Sequence, residues 1–311
     1  MKAILAIDGG GTKTRCSLFS LDGAELAACE SGASNHLLVD IETVRNSIEE
    51  AVHRVLSDAG VAASDVFVSA GLAGIDYDGR GADVIERIFA SFGFEHALLN
   101  GDSVTAHAGA LGGGPGVLAL AGTGSAVLAV DARGQRTKVG GWGPVFGDEG
   151  SSYAVGEHAL RAAARSVDGR GPATSLVAKI VDFWGLTDFR DTVERVYVAR
   201  SQPRDIAALA PLVVAAAHEG DMVAASILGA CGADLGEAVL AAIGRMELNR
   251  FPVTVSWQGS LLEYCAPIRT ALAEMLRSAS PPAVLAPPLH PPITGAYLLG
   301  VKALSENAQC T

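Results

Sequence analysis

Two copies of one pattern, about 112 residues apart, limit what this 311-residue chain can fold into. In the first, the apolar run Ile4-Leu5-Ala6-Ile7-Asp8 meets the turn Gly9-Gly10-Gly11-Thr12-Lys13-Thr14. Residues 15–23 then return as a second run and close on Asp22-Gly23. In the second, residues 117–121 (VLALA) meet Gly122-Thr123-Gly124-Ser125, and residues 126–134 return to another Asp/Gly turn signal. Each copy reads as a β-hairpin around a glycine turn. One such hairpin says little. Two in register imply a duplicated architecture with one hairpin in each half. The pattern is not a P-loop, because no GxxxxGK[ST] occurs. It is not a dinucleotide fingerprint either, because a strand and not a helix follows the glycines.

Between the hairpins, strand and helix signals alternate. Residues 41–59 have helical spacing, with Ile41, Val44, Ile48, Val52 and Val55 on one face. Residues 65–70 read as a buried strand, 81–92 as a helix, 96–100 as a strand and 102–110 as a helix. This order predicts an α/β layer fold. Residues 111–116 (LGGGPG) read as a linker. Beyond it the chain turns more helical, with helices expected near 151–165, 174–184, 188–199, 204–219, 221–246 and 263–278. A lone strand at 253–257 runs into Gln258-Gly259-Ser260. The Pro-rich stretch 281–292 reads as a connector, and 292–303 as a last helix that returns to the first half. The expected domains are therefore 1–111 with 293–307, and 112–292.

Composition narrows the partners. Charged residues are 18% of the chain and the net charge is −11, which argues against a nucleic-acid or anionic-membrane surface. The longest uncharged stretch, 111–130, carries six glycines and a proline and is no membrane helix. Cys16, Cys29, Cys231, Cys265 and Cys310 form no CxxC pair and read as free thiols of a reducing compartment. The first residues are too short an apolar run for a secretory leader. A cytoplasmic protein is expected.

The 37 glycines cluster where chemistry is expected. Asp8 ends a buried strand, and the following turn can aim backbone N–H groups at an anion, with Thr12 adding a hydroxyl. One carboxylate such as Asp8 suffices for Mg²⁺, which keeps most of its waters. Gly122-Thr123-Gly124-Ser125 repeats the turn, with Ala121 where the first copy has Asp8. A plain glycine-rich turn has the same composition, and the pairing of the two copies is what favours phosphate. Asp102, in Asn100-Gly101-Asp102, follows a strand and opens a helix, where it can act as an N-cap or accept a proton from a substrate hydroxyl. Residues 140–151 combine glycines, Trp142, Asp148 and Glu149 before a helix, a set that suits sugar hydroxyls and an apolar sugar face. Asn35 can donate and accept, as hydroxyl recognition requires. None of the seven histidines has metal-ligand spacing.

These residues carry a resemblance that spans most of the chain. The paired hairpins resemble the sugar kinase/Hsp70/actin superfamily. Within it, DGGGT, SNH at 34–36, NGD at 100–102, GTGS at 122–125 and GGWG…GDEGS at 140–151 are similar to the N-acetylglucosamine kinases of the BadF/BadG/BcrA/BcrD ATPase family. The resemblance implies two ribonuclease-H-like, actin-like ATPase domains with ATP and Mg²⁺ in the cleft between them. It implies phosphorylation of an amino sugar at its 6-hydroxyl by a cytoplasmic homodimer, with neither membrane nor nucleic acid as partner. Carried over by position, Asp102 is the catalytic base and Asp8 the metal group. Gly9, Gly10, Gly11, Thr12, Lys13, Gly122, Thr123, Gly124, Gly259 and Ser260 contact the nucleotide. Asn35, Asp102, Ser125, Gly141, Trp142, Gly143 and Asp148 contact the sugar. Ala126 departs from the pattern, since mammalian members have a sugar-contacting Asn there. Relatives in the group use glucosamine or N-acetylmuramic acid, and others are ATPases that activate a partner enzyme through a cysteine-held iron–sulfur cluster. A sugar-responsive ROK repressor is disfavoured, because its Cys-rich zinc motif is absent.

Overall fold

The computed structural model describes residues 2–94, 97–248, 252–279 and 283–309. The expected strand residue His96 and Cys310 lie outside them. The chain divides into two compact units. One comprises Met1–Leu118, Val130–Thr137 and Pro287–Thr311, the other Ala119–Ala129 and Lys138–Ala286.

The first unit is built from β1 (Ala3–Gly9), β2 (Thr14–Ser20), β3 (Glu25–Ser31), α1 (Ile41–Ala59), β4 (Val66–Leu72), α2 (Ala82–Ser91), β5 (Ala97–Asn100) and α3 (Asp102–Ala110). Its sheet has the order β3-β2-β1-β4-β5. β1 pairs antiparallel with β2 and parallel with β4, and β5 continues the parallel part. Alternation along β1 sends Leu5 and Ile7 into a core with Val44, Ile48, Val52 and Val55 of α1 and Ile85 and Phe89 of α2. Ile41, at the start of the predicted apolar face, remains exposed. Asp40 caps α1 by accepting the Thr43 N–H.

The second sheet is formed by β6 (Gly116–Ala121), β7 (Ser125–Val130) and β8 (Arg136–Gly140), followed in the chain by α4 (Ser152–Val167), α5 (Leu176–Trp184), α6 (Pro203–Ala207), α7 (Ala210–His218) and α8 (Met222–Arg245). β9 (Val253–Gln258), α9 (Ser260–Tyr264), α10 (Ala266–Ala279) and β10 (Ala283–Leu285) complete it. The strand order is β8-β7-β6-β9-β10. Counted along the chain, both sheets run third, second, first, fourth, fifth. The duplicated sequence pattern is a duplicated sheet topology. α8 is apolar and long enough to cross a membrane, yet its Ala224, Leu228, Cys231, Leu235 and Val239 are buried in this unit.

The last helix, α11 (Pro292–Gln309), belongs to the first unit, on the sheet face opposite α1. Ile293 and Ala296 pack on Ala6 and Phe19, and the Ser69 hydroxyl donates to the Ala296 carbonyl at 2.6 Å.

Three local expectations fail for identifiable reasons. The helix expected at 188–199 is a 3₁₀ turn, Phe189–Asp191, and a π turn, Glu194–Val198. Asp191 accepts the N–H groups of Thr187 and Asp188, a local alternative to a helical ladder. The helix expected at 204–219 breaks between α6 and α7, where Pro211 lacks an N–H and sits in the first turn of α7. The helix expected at 263–278 is interrupted at Cys265, whose ψ of 85° is non-helical. The connector at 281–292 also hides a short strand, β10, parallel to β9.

Candidate active site

Strand register sets the first cluster. Asp8, Gly71 and Asn100 stand in one row across β1, β4 and β5. The side chains of Asp8 and Asn100 therefore leave the same sheet face at its carboxyl edge, roughly 10 Å apart at the usual strand spacing. Gly71 has no side chain, and Thr105 of α3 fills that space: a Cβ on Gly71 would lie 1.9 Å from the Thr105 Oγ1. Asp102 is the first residue of α3, and Gly101, not Asp102, is the N-cap. The exposed Asp102 carboxylate accepts the Ser103 N–H at 2.8 Å through Oδ1, where the helix dipole favours its charge.

The Asp8 carboxyl is pushed up to about 6, first by burial and then by the negative charge of Asp102, with Lys13 and Arg15 opposing. A raised carboxyl binds a proton more tightly in the folded than in the unfolded chain. Its contribution to stability is therefore full at low pH and is lost as pH rises from about 4 to about 6. Urea unfolding of the metal-free protein should show that fall, and Asp8→Asn should remove it. A flat profile in that window would contradict the assignment.

The first glycine turn is closed by the Gly10 N–H donating to the Lys13 carbonyl at 2.9 Å. Its own carbonyls accept from Ser34 (onto Gly10) and Ala73 (onto Gly9), which fixes it against two neighbouring loops. Gly9 cannot be larger, since a Cβ would lie 2.1 Å from the Ser34 Oγ. Among the described residues, the N–H groups of Gly11 and Thr12 donate to no backbone carbonyl, and both residues are exposed. Lys13 pairs with Glu30 of β3 at 2.8 Å. Asn35 accepts the Leu37 N–H through Oδ1 and lies beside Gly74.

Arg136 was not singled out by its sequence pattern. Its Nη1 donates to the Asn100 Oδ1 at 3.2 Å and to the Tyr77 carbonyl at 3.3 Å. That fixes the amide of Asn100, two residues before Asp102, and leaves its buried Nδ2 without a partner among the described residues.

The second cluster lies in the other unit. The Gly122 N–H donates to the Gly124 carbonyl at 2.9 Å, closing a turn like the first. The opening N–H groups of α4, Ser152 and Tyr153, donate to the Gly122 and Thr123 carbonyls. Asp148 accepts the Ser125 N–H at 3.1 Å, and the Ser125 hydroxyl donates to the Glu149 carbonyl at 2.7 Å. Gly124 makes room for that carboxylate, whose oxygens would lie 2.9 Å from a Cβ there. Asp148 itself takes φ 58°, an uncommon backbone for a non-glycine, and burial raises its carboxyl above the ordinary range. Gly141 and Gly143 flank Trp142, whose side chain is 70% exposed. Gly259 ends β9 against Ala121, and the Ser260 Oγ is 4.0 Å from the Cβ position of Gly122. Gln258 Oε1 and Ser256 Oγ in β9 are buried without partners among the described residues. The structure thus groups Asp8 to Lys13, Asn35 and Asp102 in one unit. It groups Gly122 to Ser125, Gly141 to Gly143, Asp148, Gly259 and Ser260 in the other.

The donors fit a divalent cation. No cluster of three His, Cys, Asp or Glu occurs among the described residues, which Mg²⁺ does not need. Asp8, raised first by burial and then by the Asp102 carboxylate, is a buried acid beside a second negative charge, an arrangement such an ion neutralises.

The model of the BadF/BadG/BcrA/BcrD ATPase family matches residues 5–300. The chain belongs to that family. An N-acetylmuramic acid/N-acetylglucosamine kinase of Clostridium acetobutylicum is 30% identical over 264 residues, 84% of this chain and 86% of its own. An N-acetyl-D-glucosamine kinase of Dictyostelium discoideum is 28% identical over 313 residues, 96% and 98% of the two chains. The crystal structure of a Chromobacterium violaceum protein, provisionally assigned as an N-acetylglucosamine kinase, matches with a TM-score of 0.75 and 28% identity. It covers 97% of this chain and 99% of that one.

Proposed function

We propose that the protein transfers the γ-phosphoryl group of ATP to the 6-hydroxyl of an amino sugar, N-acetylglucosamine foremost. The observation that carries this reading is the placement of Asp102. It is an exposed carboxylate at a helix N-terminus, two residues past Asn100, which shares a sheet row with Asp8, in a family whose matched members are amino sugar kinases. In this reading Asp102 accepts the proton of the 6-hydroxyl as its oxygen bonds to the γ-phosphorus and the bond to ADP breaks. The free N–H groups of Gly11 and Thr12, and the turn at Gly122 to Gly124, hold phosphate oxygens. Bound Mg²⁺ would supply neutralisation of phosphate charge, and Asp8 is the group that would hold it through water. Asn35, Ser125, Asp148 and the Gly141-Trp142-Gly143 loop orient the sugar, and Gly259 and Ser260 the adenosine end.

Ala126 supports a second reading, the same transfer to glucosamine or N-acetylmuramic acid. Among the described residues the cysteines do not favour the activator reading: Cys16, Cys231 and Cys265 are buried free thiols and Cys29 is a half-buried one.

The test is ADP release across N-acetylglucosamine, glucosamine, N-acetylmuramic acid and neutral hexoses, with the phosphorylated carbon of the product read by phosphorus–proton NMR. Sugar-stimulated ADP release with phosphate on C6 is expected. No stimulation by any sugar would overturn the kinase reading.

A further inference from the structure

A cavity of about 370 Å³ in the second unit is lined in part by Ser125 and Trp142, two of the residues assigned to the sugar. Ser125, which opens β7, Gly140, which ends β8, and Trp142 and Glu149 of the following loop line it. Its wall is apolar and small: Ala126 and Val127 of β7, Val139 of β8, and Leu235, Ala238 and Ala241 of α8. Neither phosphate turn glycine, Gly122 or Gly124, lines it, and neither does Thr123. What enters it is therefore the part of the substrate remote from phosphoryl transfer. In a pyranose that part is C2, which lies across the ring from C5 and its 6-hydroxyl arm.

Charge narrows the occupant. Asp234 and Glu237 of α8 join Glu149 around the cavity, and no Lys, Arg or His lines it. Burial and the two neighbouring carboxylates raise the Asp234 carboxyl, with His158 opposing. The Lys138 side chain lies close by, outside the lining: a Cβ on Gly141 would lie 2.8 Å from its Cε, 3.4 Å from its Nζ and 3.4 Å from the Ala126 Cβ.

Resting on the kinase reading above, we propose that this cavity receives the substituent on the sugar's C2 nitrogen, as an ammonium or a short neutral acyl group, and rejects an anionic one. Ala126 and Ala238 set the acyl length by being small. A hydrophobic wall of this size discriminates between substituents differing by a methylene by roughly ten-fold or more, and a carboxylate brought up to the half-buried Asp234 and the exposed Glu149 and Glu237 loses further.

The experiment measures kcat/KM by ADP release for glucosamine and its N-acetyl, N-butanoyl, N-pentanoyl and N-succinyl derivatives. The unaltered protein should use N-pentanoyl better than N-succinyl by at least about ten-fold, although the two acyl chains have nearly the same length. Ala238→Leu adds an isopropyl group from the helix side and should lower the ratio of N-acetylglucosamine to glucosamine kcat/KM by about ten-fold, with N-butanoyl lowered further. Ala126→Val should act in the same direction from the strand side. Equal use of N-succinyl and N-pentanoyl, or an unchanged ratio in both variants while glucosamine is still turned over, would overturn the cavity assignment alone. Absence of turnover with every sugar overturns the kinase reading beneath it.

Discussion

Asp102→Asn should lower the rate of sugar phosphorylation by about 10³-fold or more and leave sugar affinity nearly unchanged. A positioned base contributes on the order of 10²–10⁴ to such a transfer, and the amide cannot accept the hydroxyl proton. The substitution keeps size and polarity at an exposed first helical position, so folding should be unaffected. Single-turnover phosphate transfer measures the loss, and calorimetric titration of the sugar measures what remains. Retained turnover would remove Asp102 from the reaction. Loss of sugar binding together with turnover would make it a binding group only. The same variant removes the charge that helps raise Asp8, so the Asp8 carboxyl should titrate lower than about 6.

Gly259→Ala should cost about 2–4 kcal/mol of stability and lower the melting temperature by roughly 5–15 °C. Two penalties coincide there. The backbone sits at φ 110°, and a Cβ would lie 2.4 Å from the Ala121 carbonyl oxygen and 2.7 Å from its carbon. Backbone cannot swing aside as a side chain can, so the end of β9 must shift from β6. Because Ser260 and the Gly122 turn meet across that junction, the Michaelis constant for ATP should rise as well. Gly134→Ala is the control. Its φ is 80°, nothing lies within 4 Å, and it carries the strain without the overlap. A melting temperature for Gly259→Ala no lower than that of Gly134→Ala would show that the junction yields easily.

The parts of this molecule written in short, contiguous signals were legible in the chain. The two glycine turns, Asn100-Gly101-Asp102 and the Gly140 to Ser151 segment each need neighbours a few residues apart, and spacing reveals them. The duplicated sheet followed from the two hairpins in register. What depends on distant partners stayed hidden. Arg136 begins an ordinary polar strand, and nothing in its surroundings announces that it will grip Asn100 and Tyr77. Gly259 could be read as ending a strand, but not as pressed on Ala121. The broken helices near 189–198 and 208–211 were lost to local capping by Asp191 and to Pro211, which outweighed apolar spacing. The cavity behind Trp142 needs α8, a helix whose apolar residues fix its burial without telling which strand it covers.

The placement of α11 also orders events during synthesis. β1 is translated well before α11, yet Ala6 and Phe19 share a core with Ile293 and Ala296. On the sheet face that carries Asp8, α3 covers Gly71 through Thr105, while Ala6 and Ser69 wait for α11. The second unit, nearly continuous from Lys138 to Ala286, has all its strands and helices before that moment. The first unit thus closes this part of its core only when α11 is present, after every strand and helix of the second unit has been made.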